Sequence, residues 1–326
     1  MSRLHKLIFH PQADKVFLRV LGCVYLVYLV IFASVVNFAH TSPSVSIVEH
    51  AVNTNAVSIV SYWTANTMRS AVDVDSPVNQ PFALSQGNID TGAGKAAKKQ
   101  GQPPENANVP YPLSTVGKIF FTNSSGLAFV CSGTAIVSNN HNTVDTAGHC
   151  LYWQGAWVQN LIFCPLYDSG NTPYGCWAAR DLEVPADWIN AKPNDFHQDF
   201  GMAIVAPNSA GNLTDVVGGM GWAYNQPVDQ AFYAYGYPAA YPFDGQTRQS
   251  CENRPGTSWQ HGSGTVVSIP CDMTGGSSGG PWFIQSGGNW YVNGHNDFIS
   301  SLKFGHMFSP YYDDIWYELY SKAQQS

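Results

Sequence analysis

Charge is scarce in this 326-residue chain: Asp, Glu, Lys and Arg together make up 11% of it, against 44% hydrophobic and 13% aromatic residues. Disordered chains show the opposite balance, so a sizeable packed core is expected, in one large or two small domains. Basic residues are especially few beyond the first third. From Pro112 to the C-terminus there are 7 Lys plus Arg against 16 Asp plus Glu, a formal balance of 7 minus 16, or −9. That argues against a phosphate-backbone partner, and no nucleic acid is expected. Also missing are internal repeats, coiled-coil heptads, an HExxH motif and any Cys/His cluster at zinc-ligand spacing. Solenoids and zinc hydrolases fall away, and neither a metal nor a cofactor is expected. What is abundant is turn chemistry. The 30 glycines and 20 prolines separate many short apolar runs, which predicts an all-β domain of many strands.

Cys23 stands apart in the N-terminal segment, whereas Cys131, Cys150, Cys164, Cys176, Cys251 and Cys271 all lie beyond Val130. An even set in an exported chain reads as three disulfides, and six cysteines allow 15 pairings. Export itself is read from the uncharged run Val20 to Ala39, which follows Arg3, Lys6, Lys15 and Arg19. About 20 apolar residues suffice to span a bilayer, and the basic flank places everything downstream outside. A cleaved signal peptide (1–39) is preferred to a retained anchor over 20–39, which would tether the domain to a membrane. Residues 40–111 end in a stretch rich in Gly, Pro, Ala and Lys and read as a flexible linker or propeptide, with Lys98 and Lys99 open to proteolysis. The globular domain is expected over 112–326, in two subdomains of about 112–208 and 209–326.

Three segments carry chemistry. In CDMTGGSSGGPW, Cys271 to Trp282, Ser278 sits among four glycines that allow close backbone approach, and it is the candidate nucleophile. A serine hydroxyl needs an adjacent base and donors aimed at the developing oxyanion, for which the amides of Gly276 and Ser278 are candidates. In TAGHC, Thr146 to Cys150, His149 is the candidate general base, because imidazole titrates near working pH. Asp199 opens the apolar run DFGMAIV and is the candidate that orients the imidazole. Asp195 is the competitor; its polar neighbours and those of His197 point to a solvated loop.

In the order His, Asp, Ser, these segments resemble the signatures of trypsin-like, chymotrypsin-fold serine proteases, over about residues 112–326. The likeness is to the microbial extracellular branch, which AYGYPAAYPFDGQ and SYWTANTMRSA (Ser61 to Ala71) share. It implies two packed six-stranded Greek-key β-barrels with a C-terminal helix, the triad lying between the barrels. It also implies Cys131–Cys150, with Cys164–Cys176 and Cys251–Cys271 paired by proximity. Animal trypsins carry an aspartate where this chain has Ser277, so the new N-terminal amine that pairs with it has no partner here and activation must follow another route. Asp272, six residues before Ser278, implies a slight preference for Arg or Lys at the cleaved bond. A similarity to glutamyl endopeptidases implies the alternative, an acidic preference read by His295. Partners are protein or peptide substrates and protein inhibitors, and the chain is expected to be monomeric.

Two other readings compete with this one. Gly276 to Gly280 satisfies the GxSxG pattern of α/β-hydrolases, but in that fold the acid and histidine follow the serine, and only 48 residues remain after Ser278. A catalytically silent binding protein is opposed by the presence of all three triad residues. At the C-terminus, Ser309 and Pro310 read as cap and first turn of a helix with Tyr312, Ile315, Trp316 and Leu319 on one face.

Overall fold

Strand β3 (Val116–Thr122) shows why the first half closes on itself. Its alternate residues Ile119 and Phe121 pack in one cluster with Cys131, Val144 and Phe163, while Val116 and Phe120 pack in another with Val130 and Ile162. Both faces of the strand are therefore apolar and both are covered, which happens when a sheet is curled round one core and overlaid by further elements. In the computed structural model, residues 45–74, 111–191, 195–261, 264–300 and 303–326 are described. With β4 (Ala128–Ile136), β5 (Thr143–Ala147), β6 (Gln159–Pro165), β7 (Trp177–Pro185) and β8 (Phe200–Val205), β3 makes a ladder in the order β7-β8-β5-β4-β3-β6. Pairing of Ile162 with Ala178 and Phe163 with Trp177 joins β6 back to β7 and closes a six-stranded barrel.

The second half begins with β9 (Ala231–Gly236) and β10 (Gln249–Pro255), followed by the hairpin β11 (Thr257–His261) and β12 (Gly264–Pro270). Then come β13 (Pro281–Ser286), β14 (Asn289–His295) and β15 (His306–Pro310). Gly221–Trp222, β14, β13, β9 and β10 form one sheet, and β11, β12 and β15 another. Phe232, Ile269, Trp282 and Met307 fill the space between them. The all-β, double-barrel architecture with a C-terminal helix is thus present, although the wall of the second barrel is divided between two sheets. Disulfides join Cys131 to Cys150, Cys164 to Cys176 and Cys251 to Cys271.

Two expectations need correction. The segment read as a linker is structured where it is described. β1 (Ile47–Ala51) pairs antiparallel with β7, from Ile47 opposite Pro185 to Ala51 opposite Asp181, and β2 (Val72–Asp73) runs parallel to β4. Between them the short helices Ala56–Tyr62 and Ala65–Ser70 bring Ile59, Trp63 and Met68 onto the outer face of the barrel. The described residues from 45 to 326 form one unit, and helices this short owe their stability to that packing. The apolar run at 20–39, Lys98 and Lys99 lie outside the described residues, among which no helix is long and apolar enough to cross a membrane.

The C-terminal helix is Asp314–Ala323 and its cap is Asp313, whose carboxylate accepts from the amides of Ile315 at 2.9 Å and Trp316 at 3.4 Å. Ser309 and Pro310 end β15 instead, where they pair with Val267 and Val266. Asp313→Ala should therefore cost about 1 kcal/mol of stability, read by urea denaturation, whereas Ser309→Ala should not behave as a lost cap.

Candidate active site

Antiparallel register brings the first two candidates together. Phe200 lies opposite Ala147 and Gly201 opposite Thr146, so the residues one step further out, Asp199 and Gly148, face each other. The Gly148 amide donates to the Asp199 carbonyl at 3.1 Å, and a Cβ on Gly148 would lie 2.8 Å from Asp199 Oδ1. His149 follows in a 3-10 turn, Gly148–Cys150. Its amide donates to Asp199 Oδ1 at 2.7 Å, and its Nδ1 lies 2.6 Å from Oδ2. The carboxylate thus holds backbone and ring of the same residue. That double hold keeps the ring proton on Nδ1 and leaves Nε2 as the basic nitrogen. Burial works against ionising Asp199, but the imidazole of His149 overcomes it and holds the carboxyl below its ordinary range.

Ser278 is brought to the same place from the second half. Its carbonyl accepts from the Ser132 amide at 2.7 Å, next to the Cys131–Cys150 disulfide that anchors His149. Ser132 is a hub: its hydroxyl donates to the Gly276 carbonyl at 3.0 Å and accepts from the Tyr237 amide at 2.9 Å, and its carbonyl accepts from Thr146 Oγ1 at 2.8 Å. Gly276 and Gly279, either side of the serine pair, have φ of +92° and +78°, a region that favours glycine. Ser277 turns its hydroxyl to the Thr274 carbonyl at 2.8 Å. All three candidates are covered, with 3% of His149, none of Asp199 and 2% of Ser278 exposed.

One residue at this centre carried no sequence signal. The Ser278 hydroxyl donates to the Asp297 carbonyl at 3.4 Å, and the Asp297 carboxyl reaches to 3.7 Å from His149 Nδ1. Asp297 lies two residues beyond β14, in NGHNDF, and no motif marks it; an acid just past a strand next to the Ser278 loop is the one hint the sequence holds.

The remaining candidates stand outside the triad. Asp195 takes Nδ1 of its neighbour His197 at 2.6 Å. Asp272 is exposed, 4.0 Å from the sulfur of Cys251. His295 is fully buried, its Nδ1 2.9 Å from the Tyr312 hydroxyl, which in turn donates to Asp145 at 2.6 Å. Burial lowers the His295 pKa to about 4 from an ordinary 6.5. Between those values the unfolded chain binds a proton that the folded chain refuses, so stability should fall as pH drops from about 6.5 to about 4. Melting curves across that range should be flatter for His295→Gln; an unchanged slope would assign the acid sensitivity to other groups.

Among the described residues, two groups bring His, Cys or Asp ligand atoms within 4.8 Å of one another: Cys131 with His149 and Cys150, and His149 with Asp199 and Asp297. The sulfurs of the first are joined as a disulfide, so they offer no thiolate. In the second, His149 Nδ1 faces both carboxyls, the geometry of an oriented imidazole.

No protein-family model matches the chain. Among curated proteins it is similar to a glutamyl endopeptidase of Bacillus licheniformis, 26% identical over 223 residues, and it spans 64% of the length of that relative, with 60% of its own residues aligned. Among solved structures it is similar to the thermostable serine protease AL20 from an extremophilic microorganism. That match has 38% identity and a TM-score of 0.61 over 67% of this chain and all of the other. It is likewise similar to the protease Anisep of Arthrobacter nicotinovorans, with 37% identity and a TM-score of 0.60 over 67% of this chain and 98% of the other.

Proposed function

The chain belongs to the microbial, trypsin-like serine proteases of the chymotrypsin fold, and from that premise we propose that it is an endopeptidase that hydrolyses peptide bonds through an acyl-enzyme on Ser278. The observation that carries the reading is the hold of the Asp199 carboxylate on both the amide and Nδ1 of His149. With Nδ1 protonated, Nε2 takes the proton of the Ser278 hydroxyl as its oxygen attacks the scissile carbonyl. The amides of Gly276 and Ser278 receive the negative charge that forms on the carbonyl oxygen. His149 then returns the proton to the leaving amine, and the same sequence with water in place of the serine frees the acid product.

A fluorophosphonate probe tests this directly, since it is captured by an activated serine and not by an ordinary one. Mass spectrometry should find the adduct on Ser278. An adduct elsewhere, or none on protein that still cleaves peptides, would refute the assignment.

For the residue before the cleaved bond, Asp272, an exposed carboxylate six residues before Ser278, supports Arg or Lys. An acidic preference is the second reading. It is favoured by the likeness to the glutamyl endopeptidase of Bacillus licheniformis, with His295 as the histidine proposed to read the acid. Cleavage of a peptide library, read by mass spectrometry, separates the two: fragments ending in Arg or Lys support the first and fragments ending in Glu or Asp the second.

We further propose secretion, supported by the apolar run at 20–39 and three disulfides. Residues 40–111 are proposed as a propeptide whose removal does not create an ion pair with Ser277. N-terminal sequencing of the exported protein decides this, because a start at residue 40 would refute a propeptide.

A further inference from the structure

Asp297 places a second carboxyl at the catalytic histidine. Its side chain is wholly buried and its Oδ1 lies 3.7 Å from His149 Nδ1, the nitrogen that Asp199 Oδ2 already meets at 2.6 Å. The ligand atoms of all three residues lie within 4.8 Å of one another, which leaves the two buried carboxyls side by side. A hydrogen bond between two carboxyl groups needs a proton on one of them, because a carboxylate only accepts. Two ionised carboxyls this close, out of water and beside a neutral imidazole, also repel strongly. Asp199 is the better place for the charge, since it accepts from the His149 ring and amide.

We propose that Asp297 is a positioning residue of the site: it keeps a proton and donates it to Asp199, so that the carboxyl pair carries one negative charge while His149 is neutral. This rests on the triad reading above. The consequence is a third anchor on the Asp199 carboxylate, supplied from the second barrel, whereas its other two come from the first. The backbone fixes Asp297 for the task, its amide donating to the Phe308 carbonyl at 2.9 Å while its own carbonyl accepts from Ser278. The other titratable groups facing this cluster are His295 on the adjoining strand and Tyr312, with Asp145 behind it. His295 stays neutral in the working range, and the Tyr312 hydroxyl is held well above its ordinary pKa by burial first and Asp145 second, so neither supplies charge that would let both carboxyls ionise.

The test is kcat/KM against pH for the parent, Asp297→Asn and Asp297→Ala, with melting curves for each and Ser278→Ala alongside. Asn keeps a donor of the same shape and no charge. It should stay within about threefold of the parent and leave the acid limb, set by His149, where it is. Ala should lose about 10- to 100-fold, the size of one charge-assisted hydrogen bond. If Asp297 were instead a carboxylate, its removal would take a negative charge from beside His149 and move the acid limb down by about one pH unit or more. That shift, an Ala variant as active as the parent, or an Asn variant that loses as much as Ala would each overturn the proposal. Should the Ala variant fail to fold, the acid limb of the Asn variant decides alone. Ser278→Ala that still hydrolyses peptides would overturn the triad reading itself; an inactive Ser278→Ala beside a parent-like Ala variant would overturn only the role of Asp297.

Discussion

Asp199→Asn should lower kcat/KM by about 10,000-fold while the protein stays folded. The carboxylate accepts at both oxygens, one from the His149 amide at 2.7 Å and the other from Nδ1 at 2.6 Å. An amide can accept at one of these positions and not at both. If its NH2 faces Nδ1, that nitrogen must become the acceptor and the proton moves to Nε2, which can then no longer take a proton from serine. If it faces the backbone, two donors collide. Asp195→Asn is the comparison, because Asp195 is engaged with His197, and its activity should stay within about twofold of the parent. Steady-state hydrolysis of a peptide substrate reads both; a large loss at Asp195 with a small one at Asp199 would reverse the assignment.

Gly279→Ala should destabilise the protein by about 2 to 5 kcal/mol and remove activity with it, through overpacking added to backbone strain. At φ +78° an alanine is already disfavoured, and its Cβ would lie 2.0 Å from Thr146 Oγ1, 2.5 Å from the Ser132 carbonyl and 2.8 Å from the Ala147 amide nitrogen. Thr146 and Ser132 belong to the first barrel, so the new methyl group would push Ser278 away from it. Gly126 separates the two contributions: its φ is +79° but nothing lies within 4 Å of where its Cβ would be. Gly126→Ala should cost only the conformational part, about 1 to 2 kcal/mol. Urea denaturation of the pair measures the difference, and equal costs would mean that the contact with the first barrel contributes nothing.

The chemistry of this chain was more legible than its supporting structure. Ser278 and His149 sit in short local patterns whose residue types the reaction itself requires. Asp199 and Asp195 were harder to rank, because what separates them is the register of β8 on β5, which only the folded barrel sets. Asp297 was invisible, since its partners lie 148 and 98 positions away along the chain and a single acid after a strand has many uses. The order of residues 45–74 is hidden in the sequence for a related reason. Their helices, of 7 and 6 residues, are too short to display a helical period, and Trp63 finds its place only against Phe120 and the Asn160 carbonyl. At the C-terminus the cap is Asp313, four residues beyond the expected Ser309, because pairing of β15 with β12 takes Ser309 into a strand.

A protease works in the presence of one peptide chain that never leaves it, its own. Ser132 bears on how the molecule survives that. Through its amide and hydroxyl it ties the backbone at Ser278, Gly276 and Tyr237 to the first barrel. The two barrels cannot separate locally here without breaking these hydrogen bonds, so any molecule open enough to be cut there has also lost the arrangement proposed for catalysis. Self-digestion at the barrel junction then needs two molecules, one intact and one unfolded, and its rate should follow the unfolded fraction of the population.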